Sequence, residues 1–415
     1  PSARSRQMRR IVELCEKTSI PFRTLPCMQD LVAGRVSINT LREVSIEDLL
    51  GRDPVKLDRQ AISAELSGRC VLISGGGGSI GTELCRQVAI LKPEKLALLD
   101  NSEFNLFRVE RELRQKFPGT EIHAILGDVA DEAAVEHLFR TLRPDIVYHA
   151  AAYKHVPMLE SQLREAIRNN VLGTRIMALA ADRHGCDAFV LISTDKAVNP
   201  ANIMGASKRI AEIFCQNLNQ HSTTRFITVR FGNVLGSDGS VVPLFKSQIE
   251  TGGPVTVTHP EMMRYFMTIP EACQLILQAE AMGKGSEIFV LNMGEPVRIT
   301  YLAEQMIRLS GNEPGKDIEI VYTGLRPGEK LFEELFHEKE QLEGTQHEKI
   351  LLAQHRKIDW QRLNEVIASM ETACLGYDED TLMGIIGELV PELHHIEKKL
   401  PKNVIHLDVK QAKHS

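Results

Sequence analysis

Short runs of aliphatic and β-branched residues alternate with amphipathic stretches between residues 68 and 295. This alternation predicts repeated strand–helix units on a mostly parallel sheet. The predicted strands lie at 69–74, 95–100, 121–128, 145–153, 188–194, 225–233 and 287–293. The predicted helices between them include 83–91, 131–142, 164–183 and 205–219. We therefore expect an α/β fold built on a doubly wound parallel sheet.

Two flanking regions follow different patterns. Residues 1–60 combine a basic amphipathic stretch, a strand-like run and an acidic segment, and we expect a short α/β segment that links, packs or makes oligomer contacts. Residues 296–415 are mainly helical in pattern and predict a smaller C-terminal substrate-binding region with a tail. Glycine- and proline-rich stretches at 232–243 and 252–260 predict long loops after the sixth strand. Residues 61–295 then form the sheet domain, with these loops inserted.

Composition narrows the classes of protein. The 415 residues are 43% hydrophobic and 25% charged, which is typical of a folded, water-soluble protein. The net charge of −6, without a block rich in Lys and Arg, argues against nucleic acid as a partner. The eight cysteines form no Cys-x-x-Cys pair, so we expect a reducing compartment, no metal site and no disulfides. No apolar run reaches the roughly 20 residues that span a bilayer. We expect this chain alone to be soluble and, since it opens without methionine, to be part of a longer protein.

Four consecutive glycines stand directly after the first predicted strand and directly before a helix, in LISGGGGSIGTEL. Gly75, Gly78 and Gly81 fit Gly-x-x-Gly-x-x-Gly, while Gly76, Gly78 and Gly81 equally fit Gly-x-Gly-x-x-Gly. Such a loop lets the backbone approach a pyrophosphate, whose charge rests on the N–H groups that open the helix. The alternative is a purely structural turn. The order of strand, loop, helix, strand and acid favours a dinucleotide site of the Rossmann type.

Asp100 ends the second predicted strand, where a carboxylate accepts hydrogen bonds from ribose hydroxyls. It favours NAD over NADP because it would repel a 2′-phosphate, although Arg86 and Arg108 keep NADP open. Asp128 is a candidate adenine contact, but aspartate after glycine is more often a turn residue. The small residues of HAAAYKHVP suit either a backbone that lies against a flat cofactor or an ordinary strand end. The candidate cofactor contacts are Gly75, Gly78, Ser79, Ile80, Gly81, Asp100, Asp128, Val129, Ala150 and Lys208.

The fifth predicted strand ends in STDKAVNP, which presents Thr194, Asp195 and Lys196 at the carboxyl edge of the sheet. The next helix carries MGASK, from Met204 to Lys208. With these motifs the chain resembles the extended short-chain dehydrogenase/reductase superfamily, and within it the membrane-associated UDP-N-acetylglucosamine 4,6-dehydratases. The resemblance covers about residues 60–350 and includes NVLGT, RFGNVLGSDGSVVP, MMRYFMTI and GLRPGEKLFEEL. It implies NAD as the cofactor, a UDP-sugar as the substrate and a role in bacterial polysaccharide or lipopolysaccharide synthesis.

Met204 departs from the superfamily pattern Tyr-x-x-x-Lys, in which the tyrosine takes a hydroxyl proton during hydride transfer. A thioether cannot take that proton. The chain is therefore either an inactive binding protein or a variant that moves the proton with other groups. Long 4,6-dehydratases resemble the second case, since they carry methionine at this position. The retained Thr-Asp-Lys triplet and Lys208 also favour activity.

The resemblance also implies roles for these residues. A 4,6-dehydratase oxidises the sugar hydroxyl at carbon 4, removes the proton at carbon 5, expels water from carbon 6 and returns the hydride there. Asp195 is the implied acid for the departing hydroxyl, and Lys196 is the implied base at carbon 5. Thr194 would contact the carbon 4 hydroxyl, and Lys208 would hold the nicotinamide ribose. Because a base must be neutral, we expect burial beside Lys208 and an oxidised nicotinamide to lower the pKa of Lys196. Asp195, Lys196 or a water could take the carbon 4 hydroxyl proton.

The segment RFGNVLGSDGSVVPLFKSQIE is expected to form a long loop that holds the nucleotide sugar. Arginine suits diphosphate oxygens, and a carboxylate suits ribose hydroxyls. The candidate substrate contacts are Lys154, Asn233, Pro243, Lys246, Arg264, Arg326 and Glu329. Each could instead be a solvated surface residue, above all Lys246.

Two other functions remain open. A nucleotide-sugar 4-epimerase normally relies on the tyrosine that is absent here, and a non-catalytic protein that binds NAD or a UDP-sugar is favoured by Met204 alone. Transmembrane helices precede this domain in the long members that the chain resembles. We therefore expect a homo-oligomer on the cytoplasmic side of the bacterial inner membrane, with the membrane held by a region outside this chain. The long-type resemblance also implies retention of configuration at carbon 5.

Overall fold

A computed structural model describes residues 55–336, 343–353 and 358–393, together with Arg52 and isolated positions before it. Its strands are β1 Arg23–Thr24, β2 Arg42–Glu43, β3 Cys70–Ser74, β4 Lys95–Asp100, β5 Glu121–Leu126, β6 Ile146–His149, β7 Ala188–Thr194, β8 Arg225–Phe231, β9 Asn233–Leu235, β10 Val255–Val257, β11 Met263–Arg264, β12 Phe266–Thr268, β13 Ile288–Leu291, β14 Val297–Arg298, β15 Ile320–Tyr322, β16 Glu343–Gly344 and β17 Ile350–Ala353. Its helices are α1 Arg59–Leu66, α2 Ser79–Ile90, α3 Glu103–Lys116, α4 Glu132–Leu142, α5 Val156–Leu159, α6 Leu163–Ala166, α7 Gly173–Arg183, α8 Ile203–Leu218, α9 Val241–Glu250, α10 Ile269–Met282, α11 Ile299–Leu309, α12 Trp360–Gly376 and α13 Glu379–Leu389.

A nine-stranded sheet, in the order β16-β17-β13-β8-β7-β6-β3-β4-β5, forms the centre of the fold. Strands β3 to β8 and β13 run parallel, while β17 and β16 add an antiparallel edge. The order reverses between β3 and β6, and ligands of such sheets bind at the carboxyl ends of the strands beside this point. The expected α/β fold with a Rossmann-type, doubly wound sheet is confirmed.

The central strands match the predicted pattern closely. The strands predicted at 95–100 and 188–194 are β4 and β7 with the same bounds. β3 is buried along its whole length and β8 along nearly all of it, as expected where helices cover both faces of a parallel sheet. A continuous aliphatic run is therefore the sequence signature of these strands.

Several predicted bounds are wrong. The strand predicted at 145–153 ends at His149, and β9 and β10 form within the stretches predicted as loops at 232–243 and 252–260. A loop was predicted up to residue 243 and, in the segment expected to hold the nucleotide sugar, beyond it. Helix α9 instead begins at Val241. Pro243 lies in the first turn of that helix, where proline is tolerated, and Phe245 is buried. The helix predicted at 164–183 is divided into α6, a π-helical turn at Ile167–Leu172, and α7.

Side-chain caps explain where several helices begin. Ser102, Asp131, Asn202 and Thr268 each accept a hydrogen bond from the backbone N–H three residues ahead, at the starts of α3, α4, α8 and α10. An oxygen in this position satisfies one of the backbone donors that a helix start leaves free. The cap at Asn202 also fixes the start of the helix that carries Met204 and Lys208.

Two hydrophobic clusters cover the two faces of the sheet. One joins α4, α7, α8, α12 and α13 to the sheet, and the other joins α1, α2, α3 and α10 to it. A third, smaller cluster lies among α9, α11 and strands β9, β10 and β12. This third cluster supports the elements that follow β8.

Helix α8 is buried along its entire length. One side of it packs on β7 and β8, and α12 and α13 contact it from elsewhere. The Phe214 ring lies 5.6 Å from the Trp360 ring between α8 and α12. The helix that carries the candidate catalytic residues is thus enclosed by protein on all sides.

The flanking regions are tied to the sheet domain. Residues 296–415, predicted as mainly helical, also supply β16 and β17 to the central sheet, and β17 pairs with β13. Arg52 donates hydrogen bonds to the Glu271 carboxylate and to the Met293 and Asn292 carbonyls. Most of the predictions for residues 1–60 lie outside the described residues, apart from the antiparallel pair β1–β2. Among the described residues, no helix is both long and apolar enough to cross a membrane.

Candidate active site

The glycine loop runs from the end of β3 to the start of α2. Gly75 has a positive φ of 70°, and its N–H donates to the Leu99 carbonyl at 2.8 Å. A Cβ atom on Gly75 would lie 2.7 Å from the Ala151 nitrogen, and one on Gly81 would lie 2.0 Å from the Gly75 oxygen. Gly78 caps α2 without a side-chain hydrogen bond, so no cap side chain competes for the first N–H groups. Bare backbone therefore faces this part of the cleft, which suits a pyrophosphate.

A cleft of about 240 Å³ opens beside this loop, where the strand order reverses. Asp100 lies in its wall, and its carboxylate accepts hydrogen bonds from the Gly77 and Ser102 N–H groups, each at 2.8 Å. Each oxygen retains capacity for a further donor, such as a ribose hydroxyl. The lining residues are Gly75, Gly78, Leu99, Asp100, Asn101, Ser102, Asn105, Gly127, Asp128, Val129, Ala150, Ala151, Ala152, Tyr153 and Asn169.

The Arg86 guanidinium is paired with two glutamate side chains and is not free to bind a ribose phosphate. Its Nε and Nη2 donate to the Glu112 carboxylate at 2.7 and 2.8 Å, and its Nη1 donates to Glu83 at 3.2 Å. Arg108 is exposed and makes no ion pair within the described part of the chain. With Asp100 in the cleft wall, this arrangement favours a ribose with free hydroxyls over a ribose phosphate.

The remaining cofactor candidates divide between the cleft and its surroundings. Asp128 lines the cleft, but its Oδ2 also accepts from Arg168 Nη2 at 2.7 Å. Ser79, the first residue of α2, donates from its hydroxyl to Asp238 Oδ2 at 2.9 Å, which links the loop after β9 to the glycine loop. Ile80 packs against the core between the sheet and α10, so its side chain supports the helix start.

The triplet Thr194, Asp195 and Lys196 lies at the carboxyl end of β7, where a 3-10 turn begins. Asp195 Oδ1 accepts from Thr194 Oγ1 at 2.9 Å and from Lys196 Nζ at 3.0 Å. Lys196 Nζ also donates to Asn233 Oδ1 at 3.0 Å, which joins the predicted substrate contact Asn233 to the triplet. Asp195 is buried, and its Oδ2 has no hydrogen-bond partner within the described part of the chain. A Cβ atom on Gly232 would lie 2.9 Å from this oxygen, so glycine leaves room beside it.

The predicted lowering of the Lys196 pKa is wrong. Burial alone would lower the pKa of Lys196, but the negative charges of Asp195 and Glu333 outweigh it and raise the pKa above its ordinary value. Burial lowers the pKa of Lys208 to about 8. The resting site therefore holds a charged Lys196 between two acidic side chains.

Met204 and Lys208 lie one turn apart on α8. Met204 is buried in the cluster between the sheet, α8 and the C-terminal helices, so an apolar side chain suits this position. The neighbouring His149 ring is buried between the Ser74 and Thr174 hydroxyls, at 2.7 and 3.0 Å. Burial, and then the charge of Lys208, lowers the pKa of His149 to about 3. The imidazole is therefore neutral and does not titrate at physiological pH.

The predicted substrate contacts Arg264, Arg326 and Glu329 lie close to one another, and none of them is among the residues that line the cleft. Arg264 is buried and directs its guanidinium to three backbone carbonyls, those of Met263, Lys330 and Leu331. Its Nη2 also lies 3.8 Å from the Glu329 carboxylate. Arg326 is exposed, and its backbone N–H donates to Glu329 Oε2 at 3.3 Å. Arg264 thus holds the GLRPGEK segment, and Arg326 remains accessible to a ligand.

The predicted substrate contacts Lys154, Pro243 and Lys246 do not line the cleft either. Lys154 Nζ lies 3.4 Å from the Ser237 hydroxyl, in the loop after β9. Pro243 is exposed on α9. Lys246 is 73% exposed on α9 and lies 3.9 Å from Glu250, as a solvated surface residue does. No cluster of three or more His, Cys, Asp or Glu side chains that could hold a metal ion occurs among the described residues.

Glu333 is a buried acid that motif reading misses. Its Oε1 lies 3.9 Å from Lys196 Nζ and 3.7 Å from Arg264 Nη2. The signal in the sequence is weak, because Glu333 and Glu334 adjoin each other, separated from the GLRPGEK motif by two residues. The structure separates them, since the Glu333 side chain is 4% exposed and that of Glu334 is 49% exposed.

Comparison with known proteins identifies relatives of this chain. A family model described as polysaccharide biosynthesis protein matches residues 71–355. The capsular polysaccharide biosynthesis protein CapD of Staphylococcus aureus is 46% identical over 93% of this chain and 64% of its own length. The probable polysaccharide biosynthesis protein EpsC of Bacillus subtilis is 49% identical over 82% of this chain and 57% of its own length. The chain thus spans less than two thirds of either protein.

More distant relatives include two kinds of enzyme. A UDP-N-acetylglucosamine 4,6-dehydratase (inverting) of Campylobacter jejuni and a UDP-glucose 4-epimerase of Rickettsia canadensis are each 32% identical over 64% of this chain and 77% of their own lengths. Among solved structures, Pen from Bacillus thuringiensis is similar with a TM-score of 0.64 at 32% identity. The similarity covers 73% of this chain and 98% of Pen.

Proposed function

Because the chain belongs to the polysaccharide biosynthesis protein family, we propose that it is an NAD-dependent UDP-N-acetylglucosamine 4,6-dehydratase. Its product is a UDP-4-keto-6-deoxy-N-acetylhexosamine for bacterial surface polysaccharide, with retention at carbon 5. The observation that carries this proposal is the buried Asp195–Lys196 pair at the end of β7, on a site with Met204 in place of a tyrosine. Elimination of water needs an acid and a base near adjacent carbons, and this pair supplies both.

The cleft has the features that NAD requires. The backbone of Gly75 and Gly78 lines it, and a Cβ atom on Gly75 would fill the space against Ala151. Asp100 has capacity for the adenosine ribose, and we assign Lys208 on α8 to the nicotinamide ribose. When bound, NAD accepts the hydride from carbon 4 and returns it to carbon 6, so that no net oxidation occurs.

Asp195 serves as base and then as acid. Its Oδ2 is buried without a partner, so it takes the proton of the carbon 4 hydroxyl while Thr194 orients that hydroxyl. The same carboxyl then gives its proton to the hydroxyl that leaves carbon 6, and water departs. One proton thus moves from carbon 4 to the leaving group through a single side chain.

Lys196 first releases one ammonium proton to solvent and then removes the carbon 5 proton as a neutral amine. Its proton affinity falls once Asp195 is protonated, because one of the two carboxylates that raise the pKa of Lys196 is then neutral. After the hydride reaches carbon 6, the same ammonium returns a proton to carbon 5. Removal and return by one group occur on one face of the sugar, which gives retention.

Incubation with UDP-N-acetylglucosamine in deuterated water, followed by mass spectrometry and proton NMR, tests the proposal. We expect loss of one water and deuterium at carbon 5. Replacement of Lys196 by alanine should abolish the elimination and leave UDP-sugar binding intact. Full dehydratase activity in that variant would contradict the assignment of the base.

The same incubation distinguishes the alternatives. An epimerase would release the carbon 4 epimer with no loss of water, and a non-catalytic protein would bind the nucleotide sugar and return it unchanged. The similarity to a UDP-glucose 4-epimerase supports the epimerase alternative. The buried Asp195–Lys196 pair, however, has no role in epimerisation.

The cellular setting is part of the proposal. We expect the full-length protein to act as a homo-oligomer on the cytoplasmic side of the bacterial inner membrane, as the family resemblance implies. Gel filtration of this chain and fractionation of cells that express the full-length protein are the direct measurements.

A further inference from the structure

Glu333 contributes a second carboxylate beside Lys196. Its Oε1 lies 3.9 Å from Lys196 Nζ, while Asp195 Oδ1 lies 3.0 Å from the same nitrogen. Within the described part of the chain, no group donates a hydrogen bond to Glu333, and Lys196 and Arg264 both lie beyond hydrogen-bond distance from it. Its effect on Lys196 is therefore electrostatic.

The backbone that carries Glu333 is held firmly. Arg264 Nη2 donates to the Lys330 carbonyl at 2.8 Å, and Nη1 donates to the Leu331 carbonyl at 3.2 Å. The Met263 N–H donates to that same Leu331 carbonyl at 3.2 Å. The segment is thus fastened to β11 two residues before Glu333, which fixes the approach of the carboxylate to Lys196.

The charged groups around this pair oppose one another. Burial raises the pKa of Glu333, as does Asp195, while Lys196, Arg264 and Lys330 lower it, and the net pKa is raised. Burial lowers the pKa of Lys196, as does Arg264, while Asp195 and Glu333 raise it, and the net pKa is again raised. Low exposure of both side chains keeps these interactions poorly screened by solvent.

We propose that Glu333 is a positioning residue that holds the Lys196 ammonium beside Asp195 and keeps it protonated until the substrate is bound. Once Asp195 is protonated during the reaction, Glu333 is the remaining negative neighbour and sets how readily Lys196 releases its proton. This second step rests on the proposed dehydratase function, whereas the first concerns the free enzyme.

Competitive acetylation of the purified protein with trace acetic anhydride, across a pH series, tests the proposal without any substrate. Neutral amines react and ammonium groups do not, so the extent of Lys196 acetylation, read by peptide mass spectrometry, reports its protonation. Glu333→Gln should move the midpoint of this curve to lower pH by roughly one to three units, the effect of an opposite charge at about this distance.

Two further variants control the measurement. Glu334→Gln removes the neighbouring carboxylate, which is 49% exposed and pairs with Lys330, and should leave the midpoint in place. Glu333→Asp keeps the charge but withdraws it by one methylene, and should give a smaller shift in the same direction. Unchanged midpoints in both Glu333 variants, or an equal shift in Glu334→Gln, would overturn the proposal.

The pH dependence of turnover separates this inference from the proposed function. If the chain is a dehydratase, the limb of the kcat profile that requires neutral Lys196 should move to lower pH in Glu333→Gln and stay in place in Glu334→Gln. A shifted acetylation curve in a chain that does not dehydrate UDP-N-acetylglucosamine would support the role of Glu333 and refute the proposed function.

Discussion

The two buried lysines of the candidate site have opposite electrostatic surroundings. The pKa of Lys208 falls to about 8 because burial outweighs the more distant charge of Glu212. The pKa of Lys196 rises because Asp195 and Glu333 together outweigh burial. Burial of the Lys208 ammonium, which has little opposite charge beside it, therefore costs folding free energy. Two carboxylates stabilise the Lys196 ammonium.

Replacement of Lys208 by methionine should stabilise the protein and impair cofactor binding. Because its folded pKa is depressed, the cost of burying its charge is present below about pH 8 and disappears as the pH rises toward the unfolded value. We expect the free energy of unfolding to rise by about 3 kcal/mol at about pH 7 and by less than about 1 kcal/mol near pH 10. Denaturant titration at the two pH values measures this.

A matched control for that prediction is Lys316→Met, since Lys316 is 73% exposed. This variant should leave the free energy of unfolding nearly unchanged at either pH. A gain for Lys208→Met that is the same at both pH values would mean that packing, rather than charge, is responsible.

Residue identity could be predicted wherever neighbours in the sequence are neighbours in the site. Thr194, Asp195 and Lys196 are consecutive, and a strand end places them together. Glu333 could not be predicted, because its approach to Lys196 depends on the packing of a distant segment against β11. The rise in the Lys196 pKa comes first from Asp195, its neighbour in the sequence, and then from Glu333.

At the scale of elements, the glycine loop depends on close backbone packing between β3 and α2. Gly81→Ala should displace the loop, because the added Cβ atom would lie 2.0 Å from the Gly75 oxygen. We expect at least a roughly tenfold loss of NAD affinity, corresponding to about 1.4 kcal/mol, measured by fluorescence titration with NADH.

Gly119→Ala is the control for the loop, because a Cβ atom there would meet no atom within 4 Å. It should leave NADH affinity unchanged. If Gly81→Ala also binds NADH normally, close packing at this position is not needed for the cofactor site.

Strands could be predicted better than the elements that follow β8. A continuous aliphatic run identifies a strand buried between two helical layers, so β4 and β7 were predicted with their observed bounds. Helix α9 was not predicted, because glycines adjoin it and because Pro243 usually indicates the interruption of a helix. Pro243 lies in the first turn, where proline is tolerated. The short pair β9–β12 depends on tertiary contacts and carries little periodicity of its own.

At the scale of the whole molecule, an ion cluster joins three distant parts of the chain. The Glu271 carboxylate accepts hydrogen bonds from Arg52 and, at 2.9 Å, from Lys349 Nζ. The side chains of Arg52 and Lys349 are 11% and 15% exposed. Residues before the sheet domain, helix α10 and the turn before β17 therefore meet at one carboxylate.

Glu271→Ala should destabilise the protein by about 3 to 5 kcal/mol, because it leaves two largely buried cations without this partner. Thermal or denaturant unfolding measures the loss. Glu261→Ala is the control, since Glu261 is 54% exposed and lies 3.4 Å from the exposed Arg298. That variant should cost no more than about 1 kcal/mol, and an equal loss in both would exclude burial as the cause.

The enclosure of α8 has a consequence for the order in which the protein is made. Its outer cover, α12 and α13, is translated after nearly all of the sheet, and so are Glu333 and β17. On the ribosome, the emerging sheet domain carries α8 with apolar side chains such as Ile213 and Phe214 still awaiting that cover. Such a half-finished domain is a substrate for chaperones. Enclosure of the helix that carries Met204 and Lys208 is therefore completed late in synthesis, when α12 and α13 close over it.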